Sequence, residues 1–184
     1  MLSVNNTPPL AEQLRACSRH LASGVAVVTT CDADDRPFGL TMSAVACLSL
    51  EPALFLVCVS ERSDTLRPLL ERGAFAINLL GREQEVLARI FASKGGPEKF
   101  ARVAFRPGAA TRVPVLSAAL AVIECRLTDA YPGGDHRVVI GAVERTHVNG
   151  GSPLLHYDGR YLGIEAEGAP SGRPTRRDAV GAPV

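Results

Sequence analysis

Hydrophobic and polar positions along this chain follow two periods, and the switches between them mark out its elements. From Pro9 to about Ala22, Leu10, Leu14, Cys17 and Leu21 recur at helical spacing while Glu12, Gln13, Arg15 and Arg19 take the other face, which predicts an amphipathic helix. Gly24 stops it, and the stretch VAVVTTC at 25–31 has the β-branched composition of a strand. Turn residues at 32–37 and a returning apolar run from Phe38 predict a hairpin. That run reaches Leu50, breaks at Glu51-Pro52, and resumes as ALFLVCV at 53–59.

A polar loop, 60–65, then leads into a short helix over 66–72, with Thr65 as N-cap, Pro68 in the first turn and Gly73 at the end. Residues 74–80 predict another strand, and 83–92 an amphipathic helix with Val86, Leu87, Ile90 and Phe91 on one side. The stretch 94–113 has weak pattern, with Phe100, Val103 and Phe105 as anchors. Two long strands are predicted over 120–130 and 138–148, around a polar turn at 131–137, and one or two closing strands over 154–164. Seven or eight strands joined mostly by turns, with about three peripheral helices, make this a mainly β chain, an antiparallel barrel or sandwich rather than a doubly wound sheet. Residues 1–8 read as a loose arm, 9–165 as one domain and 166–184 as a disordered tail.

One anomaly interrupts the strand pattern. Hydroxyl residues stand where strands usually carry bulk: Thr41, Ser43 and Ser49 in one run, then Ser60, Ser63 and Thr65. Buried hydroxyls cost free energy unless they find partners, so the set suggests a polar ligand held against a sheet. The 60–65 loop also carries Arg62 and opens onto a helix start, where free N–H groups and the dipole favour an anion such as a phosphate; an ordinary capping loop is the plainer alternative, since Ser/Thr-rich helix starts are common. Asn78, inside the apolar run AFAINLL, likewise requires a partner, from the protein or from a ligand.

Composition narrows the classes. With 46% hydrophobic residues over 184 positions there is material for a core. The net charge of +1 comes from the tail: without Arg173, Arg176, Arg177, Glu167 and Asp178 the body is neutral. A neutral body without tryptophan argues against nucleic-acid binding. Cys17, Cys31, Cys47, Cys58 and Cys125 stand singly and are expected to be small buried hydrophobes; no zinc-ligand spacing appears, and no metal is expected. No charged-then-apolar leader and no membrane-length apolar run is visible, so a soluble cytoplasmic protein is expected.

Among catalytic motifs, G-x-G-x-x-G, the P-loop and the G-x-S-x-G elbow do not occur. His20, His147 and His156 read as surface or strand-end residues. His136 differs, since it follows Gly-Gly-Asp in a tight turn beside a long strand; a turn histidine bonded to backbone is the plainer alternative.

The segments FGLTMSAVACLSLEPALFLVCVSERSDT, GAFAINLL, ARIFAS, GPEKF, PVLSAALAVIECRL, GGDHRVVIGAVE and PLLHYDGRY run in order from about Ser23 to Tyr161. Together they resemble the flavin reductase-like family, the reductase components of two-component flavin monooxygenases. The resemblance implies an antiparallel Greek-key split β-barrel that forms a homodimer. It implies NADH or NADPH as reductant of FMN or FAD, by hydride transfer to flavin N5, with the reduced flavin passing to a partner oxygenase. It places Thr41, Met42, Ser43 and Ala44 at the isoalloxazine and ribityl region, with Ser49 nearby. Ser60, Arg62, Ser63 and Thr65 would hold the ribityl and phosphate end. Asn78 would support the site from behind, while Phe91, Ser93, Lys99 and Phe100 would close over the flavin. His136 would lie near the nicotinamide and orient it, and Tyr161 near the rim.

Three positions depart from the family pattern: Ala44 stands where many members have a second Ser, Val122 where an aromatic is frequent, and Ser23-Gly24 where Thr-Gly is usual. Ala44 removes one possible flavin contact. Two alternatives stay open: a tailoring oxidoreductase with tightly held FMN, and a non-catalytic flavin-binding module.

Overall fold

A computed structural model describes residues 8–164, so the proposed tail and all but the last residue of the arm lie outside the described residues. Twelve strands are present among them, more than expected, because several are only two to four residues long. Seven form one antiparallel sheet: β2 (Ala26–Cys31), β3 (Pro37–Met42), β4 (Val45–Leu50), β5 (Ala53–Ser60), β6 (Ala74–Leu79), β9 (Ala121–Gly133) and β10 (His136–Val148). Their order is β3-β2-β6-β9-β10-β5-β4. β1 (Ser23–Gly24), β11 (Leu154–Tyr157) and β12 (Arg160–Gly163) make a small second sheet, and β7 (Phe105–Pro107) pairs with β8 (Pro114–Leu116).

The order dictates curvature. β3 and β4 are the two edges of the seven-stranded sheet, yet only Ser43 and Ala44 separate them in the chain. Six strand spacings in a flat sheet span about 29 Å, whereas the step from Met42 to Val45 reaches at most about 11 Å. The sheet must therefore roll until the Met42 end of β3 comes near the Val45 end of β4. Ser43 and Ala44 form the seam of the barrel, and the Cys58 N–H donates to the Ala44 carbonyl at 3.0 Å.

β2 and β6 are buried on both faces, which explains their continuous apolar character. One set of side chains, including Val28, Val57, Val59, Phe75, Ile77 and Val139, fills one core with Leu66 and Leu69 of α2 (Leu66–Arg72). The alternate set, including Val27, Ala76 and Val122, packs with Ala88 and Phe91 of α3 (Glu85–Ala92). In α3 it is Ala88, not Val86, that joins this core; Val86 is exposed. α1 (Leu10–Ser18) is shorter than predicted and buries nothing: Leu10 is 79% and Leu14 63% exposed. The cysteines divide as well, with Cys31 and Cys125 buried, Cys58 half-buried, and Cys17 and Cys47 exposed.

The polar turn contracts to two residues. β9 and β10 continue to Gly133 and His136, and Gly134 takes the left-handed backbone (φ 71°) that a two-residue hairpin connection requires. His136 is therefore a strand residue at the hairpin tip.

Candidate active site

The barrel seam gathers five of the proposed residues. Thr41, Met42, Ser43 and Tyr161 line one cavity of about 170 Å³ with Val25, Ala92 and His156. Ser43, Ala44 and His156 also line an adjoining trough of about 550 Å³ walled by Leu14, Arg15 and Leu21 beside α1. The Thr41 hydroxyl is not free for a ligand, since it donates to the Ala88 carbonyl at 2.7 Å and pins β3 to α3. The Ser43 hydroxyl and the N–H groups of Ser43 and Ala44, which make no backbone hydrogen bond among the described residues, are left to serve that role.

A second group forms where β5 ends. Ser60 pairs with His136 across β5 and β10. The Glu61 N–H donates to the Asp135 carbonyl at 3.0 Å, and the Glu61 carboxylate accepts from Arg137 at 2.9 Å. The loop and the hairpin tip are thus held on both sides of His136. Asp135 accepts from His136 Nδ1 at 2.7 Å, and that hydrogen bond holds its carboxyl below the ordinary carboxylate value.

The helix start itself is less open than expected. The N–H groups of Arg62 and Thr65 donate to the hydroxyl oxygens of Ser60 and Ser63, and those of Ser63 and Leu66 to backbone carbonyls within the loop. Anion capacity therefore lies in the two serine hydroxyl protons and in Arg62, which is exposed and ion-paired to no described carboxylate. The 700 Å³ cavity that Ser63 lines brings no free cation of its own, since Asp32, Asp34, Asp64 and Glu71 outnumber Arg36 and Arg67 and both arginines are already ion-paired, so a phosphate at this loop depends on Arg62.

Several proposed residues stand elsewhere. Thr65 is buried beneath the loop at 1% exposure, away from any ligand surface. Ser49 lies near the opposite end of β4, paired with Leu54, where its hydroxyl accepts the Glu51 N–H. Six residues of strand separate it from Ser43, roughly 20 Å of extended chain. Asn78 is fully buried, donating to the Val27 carbonyl and Thr29 Oγ1 and accepting the Leu116 N–H, so its amide ties β2, β6 and β8 together rather than touching a ligand.

Phe91 and Phe100 do not close over a site either. They stack edge-to-face at 4.9 Å in the core, against Gly39, where an added Cβ would stand 3.0 Å from Phe91. Lys99 donates to the Gly39 carbonyl at 3.2 Å, with burial pushing its ammonium below the ordinary lysine value. Ser93 caps α3 by donating to the Ile90 carbonyl.

Sequence reasoning missed two residues. His156 lines both seam spaces; its signal was the motif PLLHYDGRY. Glu124 is buried in β9, a carboxylate inside an apolar run. Burial alone would raise its carboxyl, but hydrogen bonds from Thr111, Ala110 and Ala109 outweigh that and bring it below its ordinary value.

The flavin reductase like domain model matches residues 18–165. The chain belongs to the flavin reductase-like family. Within that family it is 43% identical over 148 residues to a flavin reductase (NADH) of Kitasatospora aureofaciens, covering 77% of this chain and 75% of that one. It is 39% identical to the reductase component of a 4-nitrophenol 4-monooxygenase/4-nitrocatechol 2-monooxygenase from Rhodococcus opacus, again covering 77% and 75%. Among solved structures it is similar to the Streptomyces globisporus C-1027 NADH:FAD oxidoreductase SgcE6 in complex with NAD and FAD fragments. There the TM-score is 0.81 at 28% identity, covering 91% of this chain and all of that one. The flavin reductase-like fold accounts for the rolled antiparallel sheet and for the resemblance read from the motifs.

Proposed function

We propose that this chain is an NADH-dependent flavin reductase that takes FMN or FAD and passes the reduced flavin to a partner monooxygenase. The observation that carries the reading is the convergence of Thr41, Met42, Ser43 and Tyr161 on one cavity at the barrel seam, in a chain of this family. The lining suits a flavin ring, with the adjoining trough giving it further room: Val25, Met42 and Ala92 give apolar walls, and Ser43 gives a polar group at the edge. Flavin, when bound, supplies the hydride-accepting chemistry.

The residues do the remaining work. Backbone N–H groups of Ser43 and Ala44 favour negative charge at a ring edge. Ser60, Arg62 and Ser63 hold the phosphate end through hydroxyl protons and a guanidinium. His136 orients the nicotinamide: Asp135 accepts from Nδ1–H and fixes the ring, leaving Nε2 to hydrogen-bond a carboxamide. Thr41 acts on the site by fixing β3 against α3.

A homodimer is part of the proposal. Leu10, Leu14 and Leu21 around α1, and Leu48 and Leu50 on the edge strand β4, are exposed apolar side chains of the kind a second copy covers. Among the described residues no helix is long and apolar enough to cross a membrane, and we place the enzyme in the cytoplasm, where NADH is available. Consumption of NADH on addition of free flavin, at catalytic protein concentration, tests the activity; light scattering of the purified chain tests the dimer.

A further inference from the structure

His156 occupies β11, paired with Ser23 of β1, and lines both the seam cavity and the trough that adjoins it at Ser43. Its ring meets Tyr161 edge-on at 5.8 Å, and the Arg89 guanidinium lies 5.4 Å from the centre of the same Tyr161 ring. The other three histidines each have a side-chain hydrogen-bond partner: Tyr157 for His20, Asp135 for His136 and Asn149 for His147. The half-buried imidazole of His156 has none among the described residues.

That contrast points to a ligand. An imidazole offers two ring nitrogens to hydrogen-bonding partners, and those of His156 are open to solvent, and so to a ligand, with no protein partner among the described residues. Around it, Val25, Met42 and Ala92 are apolar and the Thr41 hydroxyl is held by Ala88. We propose that His156 is a flavin-contacting residue, its imidazole hydrogen-bonding the polar edge of an isoalloxazine ring seated against Thr41–Ser43. That edge alternates carbonyl oxygens, ring nitrogens and an N–H, so either imidazole tautomer finds a complement. The assignment rests on reading the seam cavity as the flavin ring site.

The test uses the full chain and three ligands that share the ring but differ in the tail: riboflavin, FMN and FAD. Their dissociation constants are measured by flavin fluorescence for wild type, His156→Phe, His156→Gln and Ser43→Trp. Loss of one hydrogen bond predicts that His156→Phe weakens all three by a common factor of about five. His156→Gln, which keeps a donor and an acceptor, stays within about twofold of wild type. Unchanged affinities in His156→Phe, or a loss confined to the phosphorylated ligands, overturn the proposal.

Ser43→Trp fills the cavity and separates the two readings. If it abolishes flavin binding while His156→Phe does nothing, only the His156 assignment falls; if neither matters, the ring site lies elsewhere. In the wild-type chain the His156 ring proton NMR signal, assigned by its loss in His156→Gln, shifts on addition of riboflavin. No shift contradicts direct contact.

Discussion

His136 stands directly across from Ser60 in the pairing of β10 with β5. Two polar segments far apart in sequence thereby become one surface, with the hairpin tip against the loop that follows β5. The consequence is a division of labour that kinetics can separate. Replacing His136 by Ala is expected to raise the Michaelis constant for NADH about tenfold, the equivalent of one good hydrogen bond. Flavin affinity should stay within about twofold of wild type. A larger loss of flavin affinity than of NADH affinity would reassign the residue.

Glu61 and Arg137 hold that geometry from either side. Their ion pair is about one-third exposed on each partner, so it contributes at most about 1 kcal/mol after solvent screening. Glu61→Gln and Arg137→Gln should each raise the Michaelis constant for NADH by up to about fivefold with little change in melting temperature. The double exchange Glu61→Arg with Arg137→Glu should recover most of the loss. Failure of the exchange to recover it would mean that the two residues act independently.

The loop hydroxyls and the buried threonine should part company in flavin binding. Ser60→Ala with Ser63→Ala should weaken FMN by about fivefold or more while riboflavin, which lacks the phosphate, changes by less than about twofold. Thr65→Val, beneath the loop, should move both ligands alike. Equal losses for FMN and riboflavin in the serine double variant would remove the phosphate from this loop.

Much of this was legible in the chain because strand period, turn residues and helix starts are local properties. The hairpin of β2 and β3, the break at Glu51-Pro52 and the end of α2 at Gly73 all stand where the pattern put them. Contacts between distant segments were not local. Ser49 carries the same hydroxyl as Ser43, but an extended strand takes it to the wrong end of the barrel. Asn78 needs partners on its sequence setting alone; which partners it finds depends on β8, a three-residue strand with too few positions to show a period. Phe91 and Phe100 turn inward because Gly39 leaves room for them. Leu10 and Leu14 have helical spacing, yet spacing cannot say whether a face meets its own core or another chain.

Glu124 gives a prediction about stability rather than activity. Its carboxylate takes four hydrogen bonds from residues 109–111 and so fastens the loop between β7 and β8 to β9. Glu124→Ala should cost about 2–3 kcal/mol, lowering the melting temperature by roughly 5–10 °C. Because the folded carboxyl titrates below its unfolded value, its contribution is fully present above the ordinary carboxylate range and is lost as pH falls through the folded value. The gap in melting temperature between wild type and Glu124→Gln should therefore be widest near neutrality and close in acid. A gap independent of pH would contradict the charged clasp.

Gly39 offers a check on packing next to the site. Gly39→Ala places a methyl group 3.0 Å from Phe91 and is expected to destabilise the fold by about 1–3 kcal/mol. Thermal melts of the two proteins decide it; an unchanged melting temperature would mean that the Phe91–Phe100 pair yields freely.

The central claim is that this barrel seam reduces flavin with NADH. The most direct measurement follows the loss of NADH absorbance when purified chain is mixed with NADH and free FMN or FAD, the flavin in large excess over protein. The account predicts many turnovers per chain with at least one of the two flavins, and loss of that turnover in Ser43→Trp. No NADH consumption with either flavin would contradict it.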